Sequence, residues 1–317
     1  MSLLARLFAA VALSAAVAHP ATADEMLTVG YVTKSATNQG WSIINKGAQD
    51  AARDEKVKLI QTGPATYGAL EDQVNAINYI MSQGVKAIAL APVDTVGVVP
   101  AVRRAISAGI KVVAVDTDVQ GVEVSSYVAT NNRTAAAAQA DWVASQIAED
   151  AQIILVNGSQ LQSTGRDRRA GFLDRLKQLK PGVTVFEVNT SWTFDEARNG
   201  VVQTLGQHPS VSAIVNAWDD GTLGAVAALR FLGTPKGAIK VVGFDGAPNA
   251  LALMRSGWVQ ADVAQMLYRQ GYVGVKTAIA AARGETVPRR IDTGHVLVTD
   301  ANLESFIAEN NLKSFMD

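Results

Sequence analysis

The chain has 317 residues, of which 48% are hydrophobic and 18% charged, with a formal net charge of −1 and no cysteine. The interspersed acids and bases leave no basic face for nucleic acid and no acidic tail. Without cysteine there is no disulfide framework and no thiolate metal site, and the length exceeds what one ordinary core serves, so two domains are expected.

The first element in chain order is an export signal. Arg6 precedes an apolar stretch from Leu7 to Ala18, and Ala21-Thr22-Ala23 fits an A-x-A cleavage site. Residues 1–23 therefore read as a cleaved signal peptide, with the mature chain starting near Asp24. The apolar core is too short to span a bilayer, and a lipoprotein anchor would need a cysteine. No later segment reaches the ~18 apolar residues of a membrane helix. A soluble protein outside the cytoplasm of a bacterium is expected, with no stable membrane insertion.

The mature chain then alternates. LTVGYV (27–32) is strand-like, and WSIINKGAQDAARDE puts Trp41, Ile44, Ala48 and Ala51 on one helical face. KVKLIQT is the next strand, and Leu70, Val74, Ile77 and Ile80 mark a helix that stops at Gly84. KAIALAP, a helix ending at Gly109, and KVVAVDT follow. The rhythm restarts near residue 130. VSSYVAT, an alanine-rich helix over 134–149 and QIILVNG lead to helices around 168–179, 195–205 and 223–231, separated by VTVFEVNT and SAIVNAW, and then IKVVGFDG. Such alternation predicts parallel sheets covered on both faces. Roughly ten units leave a single (β/α)₈ barrel as a rival, but the restart favours two doubly wound halves.

Two of these strands end in an acid. VVAVDT runs into Asp116 and VVGFDGAP into Asp245. Ligands of open parallel sheets bind outside the carboxyl ends of the strands, and a buried unpaired carboxylate is costly. Asp245 alone also suits a helix N-cap before APNALALMRSG, but one acid per half points to a shared cleft. There is no G-x-S-x-G, H-E-x-x-H, Walker or G-x-G-x-x-G motif, and the mature histidines His208 and His295 lack metal-ligand spacing. No enzyme, cofactor or metal is expected, although two acids would also serve a secreted glycosidase.

The chain resembles the type I periplasmic solute-binding proteins of ABC transporters, in the ribose-binding branch. The resemblance runs from about Leu27 to Leu303 and is carried by KGAQDAA (46–52), QGVKAIALAPVDT (83–95), AGIKVVAVDTD (108–118), GRDRRAGF (165–172) and VVGFDGAP…VQADVAQ (241–265). It implies two doubly wound parallel-sheet lobes joined by a three-strand hinge, with crossings near Thr130–Asn131, Gln265 and Asp292. The N-terminal lobe would hold 26–130 plus 266–292, and the C-terminal lobe 131–265 plus 293–317. By motif, the implied ligand-binding residues are Lys34, Asn38, Trp41, Asp116, Arg168, Phe194, Trp218, Asp245 and Gln265. The branch implies a monomeric periplasmic protein that closes on a small sugar or polyol and delivers it to an ABC permease. A sensor subunit is the alternative role. Departures from the ribose pattern at Gln39-Gly40-Trp41, Ala91 and Trp218 argue against strict ribose specificity. A pentose, hexose or sugar alcohol is favoured, with autoinducer-2 or a sugar acid as alternatives.

Overall fold

The computed structural model of the chain describes residues 26–35, 38–64 and 69–316. The expected signal peptide, residues 1–23, lies outside them. Within the described residues the chain forms two six-stranded sheets with helices on both faces, rather than a closed barrel.

The first half runs β1 (Thr28–Val32), α1 (Gln39–Asp54), β2 (Lys58–Thr62), α2 (Leu70–Ser82), β3 (Ala87–Leu90), α3 (Val99–Ser107), β4 (Lys111–Val115) and β5 (Ser126–Ala129). The second half runs α4 (Asn132–Gln146), β6 (Gln152–Asn157), α5 (Ser163–Leu179), β7 (Thr184–Asn189), α6 (Phe194–Gln207), β8 (Val211–Asn216), α7 (Asp219–Phe231), β9 (Lys240–Asp245), α8 (Pro248–Arg255) and β10 (Ala261–Gln265). The chain closes with α9 (Leu267–Ala282), β11 (Arg290–Asp292), β12 (His295–Thr299) and α10 (Leu303–Glu309). Central strands are buried on both faces: Ile153, Ile154, Leu155 and Val156 of β6 are all in the core. Each such side chain contributes about 1.5–3 kcal/mol on burial.

The first sheet is ordered β11-β5-β4-β3-β1-β2 and every pairing in it is parallel. The second is ordered β12-β10-β9-β8-β6-β7. The strand order therefore reverses between β1 and β3 in one sheet and between β6 and β8 in the other, and a cleft for ligand forms at such switch points. One strand departs from the predicted all-parallel pattern, because β12 runs antiparallel to β10, with His295 opposite Gln265. The reason is local. β10 arrives at the junction between the sheets and β12 leaves it, so the two run in opposite directions.

The chain passes between the sheets three times. It leaves the first after β5, returns after β10 through α9, which packs on β3 and β4, and leaves again between β11 and β12. At the junction Gln270 Nε2 donates to Thr130 Oγ1 (3.1 Å) and to Gln265 Oε1 (2.8 Å), joining the first two crossings, and Thr130 Oγ1 donates to the Gly294 carbonyl (3.2 Å) at the third.

Candidate functional site

A cavity of about 430 Å³, partly open to solvent, lies between the carboxyl ends of the two sheets. Its wall is built from the loops after β1, β4, β6, β7, β8, β9 and β10. Every predicted site residue except Phe194 lines it: Lys34, Asn38, Trp41, Asp116, Arg168, Trp218, Asp245 and Gln265.

The first sheet contributes an ion pair. Lys34 leaves the end of β1 and is only 2% exposed, so it is no surface lysine. Its Nζ donates to Asp116 Oδ2 (2.6 Å), Thr117 Oγ1 (2.5 Å) and Gln162 Oε1 (2.8 Å). Burial lowers the Lys34 pKa and the Asp116 carboxylate opposes that shift. Among the described residues, Asp116 Oδ1 has no protein donor, which leaves an acceptor on the cavity wall. Asp116 sits at φ +62°, in the left-handed region that Asp tolerates better than most side chains. Asn38 caps α1, accepting from Trp41 N at Oδ1 (3.0 Å), while its Nδ2 donates across the cleft to Asp220 Oδ2 (2.7 Å). That cap fixes Trp41 against the cavity.

The second sheet contributes another ion pair. Arg168 stands on α5 between Arg166 and Arg169, whose exposed side chains bond to Gln160, Gln120 and Glu187. Arg168 alone turns inward and is 5% exposed. Its Nε donates to Asn132 Oδ1 (2.8 Å), and its Nη1 donates to the Ala217 carbonyl (2.6 Å) and to Asp245 Oδ1 (3.1 Å). The guanidinium lies over the Phe244 ring, 4.0 Å from its centroid. Nη2 has no protein acceptor among the described residues.

Asp245 is not a helix cap, since Ala247 occupies that place before α8. Its carboxylate accepts from Gln265 Nε2 (2.6 Å) as well as Arg168, and the Asp219 amide also bonds to it. Burial pushes the Asp245 carboxyl up to about 6, against the downward pull of Arg168 and Gln265. Its φ of +123° lies where non-glycine residues are rare.

Phe194 is a correction. It is the first residue of α6, after the cap Thr193, and is 39% exposed. The aromatic wall is instead Trp192, two residues earlier, at φ +68°. Its indole fills the space beside Gly158, where a Cβ would come within 2.0 Å of the ring, and it meets Trp218 edge-on at 5.3 Å. The helix start at Phe194 turns that side chain outward. Gln162 and Thr164 also line the cavity, and sequence reasoning misses them because the expected helix begins near Arg168, whereas α5 starts at Ser163. Among the described residues no cluster of three metal-ligating side chains occurs, and no helix is long and apolar enough to cross a membrane.

Residues 29–286 match the model of the periplasmic binding protein domain. The chain belongs to the periplasmic binding protein domain family. Among curated relatives of this periplasmic binding protein domain is the ribose import binding protein of Escherichia coli K12. The two are 31% identical over 295 residues, covering 90% of this chain and 95% of the relative. A solute-binding protein of an ABC transporter from Agrobacterium vitis, solved with D-fucose, superposes with a TM-score of 0.85 at 27% identity, covering 89% of this chain and 99% of that one. A solute-binding protein from Burkholderia graminis, solved with D-arabinose, superposes with a TM-score of 0.83 at 28% identity, covering 88% and 97%.

Proposed function

We propose that this binding protein captures one small neutral sugar or polyol in the cleft between its lobes and hands it to the permease of an ABC importer. One observation carries the reading. The cavity wall holds two cations and two carboxylates, already paired as Lys34–Asp116 and Arg168–Asp245, so its formal charges balance. A sugar acid or an amine would bring an uncompensated charge into a buried site, which is costly. A polyol brings none. Its hydroxyls can donate to Asp116 and Asp245 and accept from Arg168, while its C–H faces lie on Trp41, Trp192 and Trp218. The ligands named for the relatives, ribose, D-fucose and D-arabinose, are neutral sugars of this kind.

The proposed ligand-binding set is Lys34, Asn38, Trp41, Asp116, Arg168, Trp192, Trp218, Asp245 and Gln265. The proposed lobes are 26–130 plus 266–292 and 131–265 plus 293–317, hinged at the crossings. With its signal peptide removed, the protein works in the periplasm as a monomer and holds ligand without chemistry.

A thermal-shift panel of pentoses, hexoses, polyols and aldonic acids tests the reading. A ligand at 100 times its Kd adds about 2.7 kcal/mol, and the melting point should rise by roughly 2–4 °C. Neutral sugars should give the shift and aldonates should not. Asp245→Ala should abolish the heat of binding in calorimetry while the circular dichroism stays native. An aldonate that binds better than every neutral sugar, or normal binding by Asp245→Ala, would overturn the assignment.

A further inference from the structure

Beside Gly243 of β9 lie two further buried acids whose side chains do not line the cavity. Asp219 opens α7 and Asp262 is the second residue of β10, and they are 2% and 0% exposed. Each uses one oxygen on a backbone amide of the turn after Asp245. Asp262 Oδ1 accepts from Gly246 N (2.9 Å) and Asp219 Oδ2 accepts from Ala247 N (2.6 Å). Among the described residues, no other group donates to their remaining oxygens, Asp219 Oδ1 and Asp262 Oδ2. Both crowd the same side of Gly243, where a Cβ would sit 2.8 Å from the first and 2.2 Å from the second.

Two carboxylate oxygens facing each other in a dry interior cannot both stay charged, and a proton between them turns repulsion into a hydrogen bond. Burial is the leading cause that raises both carboxyls, Asp262 to about 7 and Asp219 well above its ordinary value. The other charged groups acting on the pair are Asp245 from β9 and Arg168 from α5. The turn that the pair grips is strained, with Asp245 at φ +123° and Gly246 at φ +74° in succession. Such a conformation persists only where its surroundings over-determine it.

We propose that Asp219 and Asp262 are positioning residues: sharing a proton beside Gly243, they pin the amides of Gly246 and Ala247 and so aim the Asp245 carboxylate into the cleft. The consequence for ligand rests on the sugar-binding reading, but the clamp itself does not. A carboxyl raised from about 4 unfolded to about 7 folded makes the folded state bind more protons between those values. Stability contributed by the protonated pair is then complete below pH 4 and is lost as pH rises through 7.

The test uses the full mature chain in three forms: wild type, Asp262→Ala and Asp262→Asn. An Asn at 262 keeps the acceptor for Gly246 and offers Asp219 a fixed N–H in place of the shared proton. In the ligand-free protein, amide exchange at Gly246 should speed up about 5- to 13-fold in Asp262→Ala, for the loss of a bond worth ~1–1.5 kcal/mol. It should stay near wild type in Asp262→Asn. The melting temperature of wild type should fall between pH 5 and pH 8, and Asp262→Asn should flatten that fall. With D-ribose, D-allose and myo-inositol as probes, Asp262→Asn should keep the wild-type Kd within about threefold and Asp262→Ala should weaken it about tenfold or more. Native exchange at Gly246 in a folded Asp262→Ala, or an unflattened pH profile in Asp262→Asn, would sink the proposal. If Asp262→Ala does not fold, the Asp262→Asn profile decides. If wild type binds no probe, the sugar reading fails while exchange and pH profile still judge the clamp.

Discussion

At the scale of single residues, the site consists of charges that satisfy one another before any ligand arrives. Lys34 is the clearest case, since a fully buried ammonium survives only because Asp116, Thr117 and Gln162 surround it. Removing one member of such a pair leaves the other charge buried and unpaired, at a cost of about 3–5 kcal/mol. Lys34→Met should therefore lower the urea midpoint markedly, and the double variant Lys34→Met/Asp116→Leu should recover much of the loss. Equal midpoints for wild type and Lys34→Met would show the pair to be dispensable. The two strand-end acids share a further property, because both adopt positive φ, at +62° and +123°. The backbone strain aims each carboxylate off its strand and into the gap, an arrangement expected of a functional position rather than a packing one.

At the scale of elements, the loops beyond the strand ends decide the pocket's shape, and they are held by close contacts beneath. Gly158 follows β6 and leaves room for the Trp192 indole, since a methyl group at that position would come within 2.0 Å of the ring. Overpacking of this kind costs about 1–3 kcal/mol. Gly158→Val should lower the melting temperature by several degrees and displace Trp192 from the wall, so that sugar affinity drops even at temperatures where the protein is fully folded. Unchanged affinity in calorimetry would mean that Trp192 is not part of the binding surface. The helices carry the same logic. Periodicity starts α5 near Arg168, but its actual first turn, Ser163 and Thr164, reaches the opposite lobe, and this turn brings the two sheets together.

At the scale of the whole molecule, the lobes meet through a band of hydrogen bonds across the cleft mouth. Thr95 N donates to the Leu161 carbonyl (3.0 Å), Ser163 N to Thr95 Oγ1 (2.9 Å), Asp118 N to Ser163 Oγ (2.9 Å) and Gln162 Nε2 to the Val93 carbonyl (3.0 Å). This is a closed arrangement, and a ligand that touches both lobes shifts the population toward it. Gln162→Ala removes two of the cross-lobe bonds, each worth ~1 kcal/mol net. Affinity for the bound sugar should fall about 5–30-fold through a faster off-rate, with the on-rate little changed. The change in indole fluorescence on ligand addition should keep its amplitude, since Trp41, Trp192 and Trp218 still line the closed cavity. An unaltered off-rate would show that the band does not hold the lobes together.

Sequence alone settled the alternation of strand and helix, the two-lobe architecture, and most of the cavity wall. The alternation follows from local periodicity and turn residues, and Asp116 and Asp245 stand out as acids at strand ends, whereas the hinged lobes and the other wall residues follow from the resemblance of contiguous motifs to a known family. The tertiary structure decided the rest. It paired Lys34 with Asp116, chose Arg168 from its cluster of arginines, replaced Phe194 with Trp192, reversed β12, and set Asp219 against Asp262 beside Gly243. Each of these depends on which distant strand ends arrive side by side, and on which of several neighbouring side chains the backbone turns inward. No spacing along the chain encodes that, because burial and pairing are properties of the assembled cleft.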